Sequence, residues 1–149
     1  MISKGGGEIT SDHKTTADVY FQYAPVAFLE FDLSAMKQAI SELPSQDPDR
    51  LFPFLQKNSE NIETYRLYGK LLAVNQAALR MYKARSQREL ETSMPTIIGK
   101  AGIPALMRGT VALLSGNLSF ETETINYTLD GEELVVVLKL SVLPGHEAK

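Results

Sequence analysis

Few side chains in this sequence are placed to do acid–base or metal chemistry. The two histidines, His13 and His146, lie near the ends of the chain in polar surroundings, a poor setting for a buried general base. There is no cysteine, so there is no disulfide, no thiolate metal site and no zinc constellation built on paired Cys and His. Glu30 and Asp32 share one face of a strand-like segment, and so do Glu121 and Glu123. Two carboxylates on one face could divide acid and base roles, but the same alternation describes a solvated strand face. Gly5, Gly6 and Gly7 precede no strand-to-helix switch, so they do not form a phosphate loop. Of these groups, Glu30 is the base one would choose for a stand-alone small-molecule enzyme on a curved α+β sheet.

The elements that must position any site are clearer. The stretch Leu71–Leu90 is the organising segment. Leu71, Leu72 and Val74 have strand character, and Asn75 then supplies a side-chain oxygen suited to capping a helix. Ala78, Leu79 and Tyr82 make one apolar helical face. Ser86 and Glu89 have the spacing of a capping box for a second short helix anchored by Leu90. Upstream, Val19, Tyr20 and Tyr23 form a helical stripe ended by Pro25, suited either to lie on the domain or to meet a second copy. Val26–Asp32 reads as a first strand, with Ala27, Leu29 and Phe31 on one face. Ser34 is a plausible cap for a helix carrying Met36, Ala39, Ile40 and Leu43, ended by Pro44. A second helix starts at Asp47, and Pro53 is tolerable only near its first turn. A third, over 59–68 with Ile62 and Tyr65 inward, is closed by Gly69.

Downstream, Met94–Ile98 reads as an irregular turn broken by Gly99 and Gly102. Ile103, Leu106, Met107, Val111 and Leu114 then mark an amphipathic helix stopped by Gly116. Leu118–Thr128 is a long strand whose apolar phase changes midway, which suggests a bulge. Asp130-Gly131 predicts a two-residue hairpin turn. The return strand sets Leu134, Val136, Leu138, Leu140 and Val142 inward, at the centre of the core, and leaves Val135 and Val137 outward.

The bulk numbers agree with one globular domain, 16–149, behind a flexible start, 1–15. Of the 149 residues 44% are hydrophobic and 22% charged. The net charge of −3 and the lack of a basic cluster argue against nucleic acid as a partner. No uninterrupted apolar run approaches the roughly 18 residues that suggest a bilayer span, and the first residues lack a signal-peptide core. The expectation is a cytoplasmic chain with no membrane insertion.

The strand followed by Val74-Asn75-Gln76-Ala77-Ala78-Leu79, and then Ser86-Gln87-Arg88-Glu89-Leu90, resembles the PAS sensor domain of bacterial and archaeal signalling proteins. Ala24-Pro25-Val26-Ala27-Phe28, Phe120-Glu121-Thr122-Glu123 and Ser141-Val142-Leu143-Pro144-Gly145-His146-Glu147 are similar in the same order. The resemblance implies an antiparallel sheet with helices on one face and a helical insert between the first two strands. It also implies a non-catalytic sensory and dimerisation module that relays a signal to an output domain, such as the histidine kinase of a two-component pathway. Any kinase or cyclase activity would lie in that attached domain. Covalent flavin in this family needs a Cys, and haem needs a His on the helix before the hairpin; this chain has neither. A non-covalent ligand would sit among Tyr82, Met107, Val111, Tyr127, Val136 and Leu138, unless those side chains fill the space themselves. The family's fifth strand would follow Glu147 and lie mid-sheet. Only Ala148 and Lys149 follow here, so the expectation is that the two strand edges close directly on each other, or that a second copy or the residues before Ala24 fill the gap, with self-association favoured.

Overall fold

The structure is a computed structural model that describes residues 15–58 and 69–145. The helix expected over 59–68 lies outside the described residues. The elements run α1 (Thr16–Tyr23), β1 (Leu29–Asp32), α2 (Ser34–Ser41), α3 (Pro48–Asn58), β2 (Lys70–Val74), α4 (Gln76–Tyr82), α5 (Gln87–Thr92), α6 (Met94–Leu114), β3 (Ser119–Tyr127) and β4 (Glu133–Ser141). The class is α+β, and α2 and α3 form the insert between the first two strands.

Asn75 caps α4, accepting the Ala78 N–H at 3.1 Å. It also ties the insert's flanks together. Its Oδ1 accepts the Phe28 N–H at 3.0 Å, and its Nδ2 donates to the Val26 carbonyl at 2.7 Å. Its own N–H donates to the Phe28 carbonyl at 3.1 Å. The residue is fully buried, so a polar group in the core is fully used by hydrogen bonds.

Several local expectations are corrected. Ser86 caps α5 through the Glu89 N–H, but the Glu89 carboxylate returns to the Arg85 N–H at 2.6 Å. The complete capping box is at Thr15 and Asp18, on α1. Ser34 is the first residue of α2 rather than its cap; its N–H and hydroxyl both donate to Asp32. Pro53 lies inside α3, past the first turn. Val19, Tyr20 and Tyr23 are exposed, which overturns only the expectation that this stripe lies on the domain. α1 instead touches the domain through Phe21, stacked on Phe28 with ring centroids 6.2 Å apart, and through Gln22.

Among the described residues the strands form two separate two-stranded antiparallel sheets, β1–β2 and β3–β4, rather than one sheet. In the first, Glu30 pairs with Ala73 and Phe31 with Leu71, so Leu72 is bulged out. The bulge explains how Leu71 and Val74, an odd number of residues apart, are both buried. In the second, the register is unbroken from Ser119–Ser141 to Tyr127–Glu133, with no bulge in β3. The phase change in β3 has another cause: Thr124 and Asn126 are buried on the inner face, and Ile125 and Tyr127 lie on the other. The hairpin loop is longer than the expected two residues. Gly131, at φ +91°, donates to the Thr128 carbonyl, and the Thr128 N–H pairs with the Glu132 carbonyl, so Leu129, Asp130 and Gly131 make the loop.

The centre of the core is among the helices. Ala78, Leu90, Ile97 and Met107 are at most 1% exposed and pack with Leu71, Val74, Tyr82 and Val111. Leu134, Val136, Leu138 and Leu140 do face inward, but each is only half-buried. By length and composition α6 is apolar enough to cross a membrane. Here it is broken at Gly99 and packs along β3.

Candidate functional site

The break at Gly99 aims the start of α6. Its φ of 57° with ψ near −179° is a conformation that essentially only glycine adopts. A side chain there would also strike Tyr127, whose Cε2 lies 2.7 Å from where a Cβ would stand. Three residues on, Gly102 is helical rather than a break, and it lies against the end of β3. A Cβ at Gly102 would stand 3.3 Å from the Ile125 carbonyl oxygen and 3.5 Å from Asn126 Oδ1. Further along, Gly109 lies against Phe120 and Leu140. The helix therefore runs antiparallel to β3, over the inner face of the hairpin.

Asn126 is the central side chain of this contact. It is 4% exposed, and its Nδ2 donates to the Tyr82 hydroxyl at 2.9 Å. Its Oδ1 is buried with no partner. Turning the amide over would exchange the two ends and still leave one unpaired. Thr124 and Thr128, on the same strand face, are buried as well, and so is Thr110 of α6. Burial pushes the Tyr82 phenol above its usual pKa, and the bond from Asn126 works weakly against that shift. A buried polar atom left unpaired costs about 1–3 kcal/mol. An N–H or O–H donor brought to Oδ1 would remove that cost.

The hairpin loop is fastened to the same helix that carries Tyr82. The Leu129 N–H donates to the Tyr82 carbonyl at 3.0 Å. Lys83 follows in the left-handed region, at φ 58°, where its N–H and that of Ala84 close the helix on Arg80 and Leu79. Its ammonium bridges Asp130 at 2.9 Å and Glu132 at 2.8 Å. Those carboxylates hold the Lys83 pKa up, Glu132 first. The Thr128 hydroxyl and then Lys83 hold Asp130 below the usual carboxylate range.

Of the six lining residues expected from sequence, Tyr82, Met107 and Val111 are buried in one cluster. Val136 and Leu138 are half-buried on the inner face of β4, opposite Thr124 and Thr122. Tyr127 is on the other face of β3, against Gly99. Glu30 and Asp32 are exposed, and Asp32 is held below its usual pKa by the Ser34 hydroxyl and N–H. Glu121 is paired with Lys139 at 3.4 Å on the outer face. His13 and His146 lie outside the described residues. Among the described residues no cluster of His, Cys, Asp or Glu could hold a metal ion. Sequence reasoning missed Asn126, Thr110, Thr124 and Thr128. For the three strand residues the signal was the period of two in Thr122, Thr124, Asn126 and Thr128, in register with Leu138, Val136 and Leu134 of β4.

No known protein family, curated protein or solved structure matches the chain.

Proposed function

We propose that this chain is a PAS-type sensory module, binding a small molecule at Asn126 and Tyr82 and passing the change to a signalling output domain. The observation that carries the reading is the unpaired, buried Asn126 Oδ1 beside Gly102. The ordered sequence motifs around Asn75 and Ser86 support the family; the buried amide supports a ligand. A ligand N–H or O–H that reaches Oδ1 would be read directly, because Asn126 also holds the Tyr82 hydroxyl. Tyr82 in turn sits beside Lys83, which grips the hairpin loop. Such a ligand would favour one arrangement of α4 against the hairpin over another, which is all a sensor needs.

The test is a thermal-shift screen of polar metabolites against the chain, repeated with Asn126→Leu and Tyr82→Phe combined. Those two changes remove both polar partners together, a substitution close to neutral for packing. A compound that raises the melting temperature of the native chain and not of the double variant supports the reading. If hits stabilise both proteins equally, the amide is not the site.

A further inference from the structure

The outer edge of β4 is self-complementary. The bonds Thr128 N–H to Glu132 carbonyl and Val142 N–H to Leu118 carbonyl put the even-numbered residues of β3 and β4 in hydrogen-bonded pairs. Alternation along an antiparallel ladder then turns the N–H and C=O groups of Glu133, Val135, Val137 and Lys139 away from β3. Among the described residues no strand pairs with that edge. Proteins usually blunt an open edge with a bulge, a proline or inward charges. β4 has no bulge and no proline, and its outward valines, Val135 and Val137, are 71% and 59% exposed.

We propose that this edge pairs with the same edge of a second copy, across a two-fold axis at Val136, giving a continuous four-stranded antiparallel sheet. The register follows from the side chains. With Val136 opposite itself, Glu133 faces the partner's Lys139, and Lys139 faces the partner's Glu133. Val135 and Val137 face each other in both directions. On the inner face Leu134 meets the partner's Leu138, so half-buried leucines gain apolar neighbours. A shift of two residues either way sets Glu133 against Val137 or Lys139 against Val135. A shift of one exchanges the faces of the sheet. Only the register centred on Val136 matches both charge and apolar surface. The interface is isologous, as a two-fold dimer requires, and it does not depend on the ligand reading.

Light scattering of the full chain at micromolar concentration should give twice the chain mass. Val137→Pro deletes one outward N–H and leaves the β3–β4 ladder intact, so it should give a monomer with unchanged circular dichroism. Glu133→Lys sets like charges together at both ends and should weaken the dimer about tenfold. Adding Lys139→Glu should restore most of the loss, because the exposed pair with Glu121 contributes little. A native chain that stays monomeric at 100-fold higher concentration overturns the proposal. So does a dimer indifferent to Val137→Pro, or a charge swap that fails to rescue. A monomer in which the Val135 and Val137 amides resist hydrogen exchange would assign the edge to another segment of the same chain, and would also overturn it.

Discussion

Asn75 does more than end a strand and start a helix. Capping alone is worth about 0.5–2 kcal/mol. Its side chain also satisfies the Phe28 N–H and the Val26 carbonyl, and orphaned buried groups cost about 1–3 kcal/mol. Asn75→Ala should therefore cost about 2–4 kcal/mol in urea unfolding; a loss under 1 kcal/mol would mean that water replaces it freely. The cap was legible because its partner is three residues away. The ties to Val26 and Phe28 were not, since nothing in the local pattern marks a partner so distant in the chain. Asn126 was illegible for a related reason: a polar residue in a strand reads as outward until the register is known. Tyr82, Lys83 and Asp130 also set the pH response. The raised pKa values of Tyr82 and Lys83 give stability that is complete below their ordinary values near 10 and lost as pH rises through the folded ones. The lowered pKa of Asp130 gives stability present above its ordinary value near 4 and lost as pH falls through the folded one. Melting temperature should be flat from about pH 5 to 9 and fall at both ends. Tyr82→Phe should blunt the alkaline fall; an unchanged alkaline limb would remove Tyr82 from the account.

Among the elements, most of those defined by short-range rules were readable, though not the cap of α2 or the length of the hairpin loop, and those defined by neighbours were not. The caps of α4 and α5, the alternation of β4 and the hairpin after Tyr127 all follow from residues within a few positions of one another. The bulge at Leu72 and the outward turn of Val19 and Tyr20 depend on what lies alongside. The sharpest case is α6: Met94–Ile98, expected as an irregular turn, is helical, and the chain breaks at Gly99 but not at Gly102. Gly99→Ala should cost about 1–3 kcal/mol from the backbone alone, with Tyr127 displaced in addition. Gly99→Ala combined with Tyr127→Ala should recover the steric part and not the backbone part. If the single variant unfolds at the same urea concentration as the native chain, the kink is not where α6 is fixed.

At the scale of the whole molecule the stabilising apolar contacts are unevenly placed. Leu90 is fully buried where α5 meets the α6 and β2 side of the core. Leu138 points inward from β4 but is half-buried, in a strand with one neighbour among the described residues. Reading the strand pattern as the centre of the core found the right face and the wrong place. Alternation reports which side of a strand is covered, and burial depends on how many elements cover it. Leu90→Ala removes a side chain with contacts on all sides and should cost about 2–5 kcal/mol. Leu138→Ala, in dilute solution, should cost about 1–2 kcal/mol, because less apolar area leaves water when it folds. Urea unfolding of both variants at low and high protein concentration measures the contrast. If the Leu138→Ala penalty grows with concentration, pairing at the β4 edge is burying that residue further. Equal penalties for the two variants at the lowest concentration would instead show that the inner face of β4 is already covered within one chain.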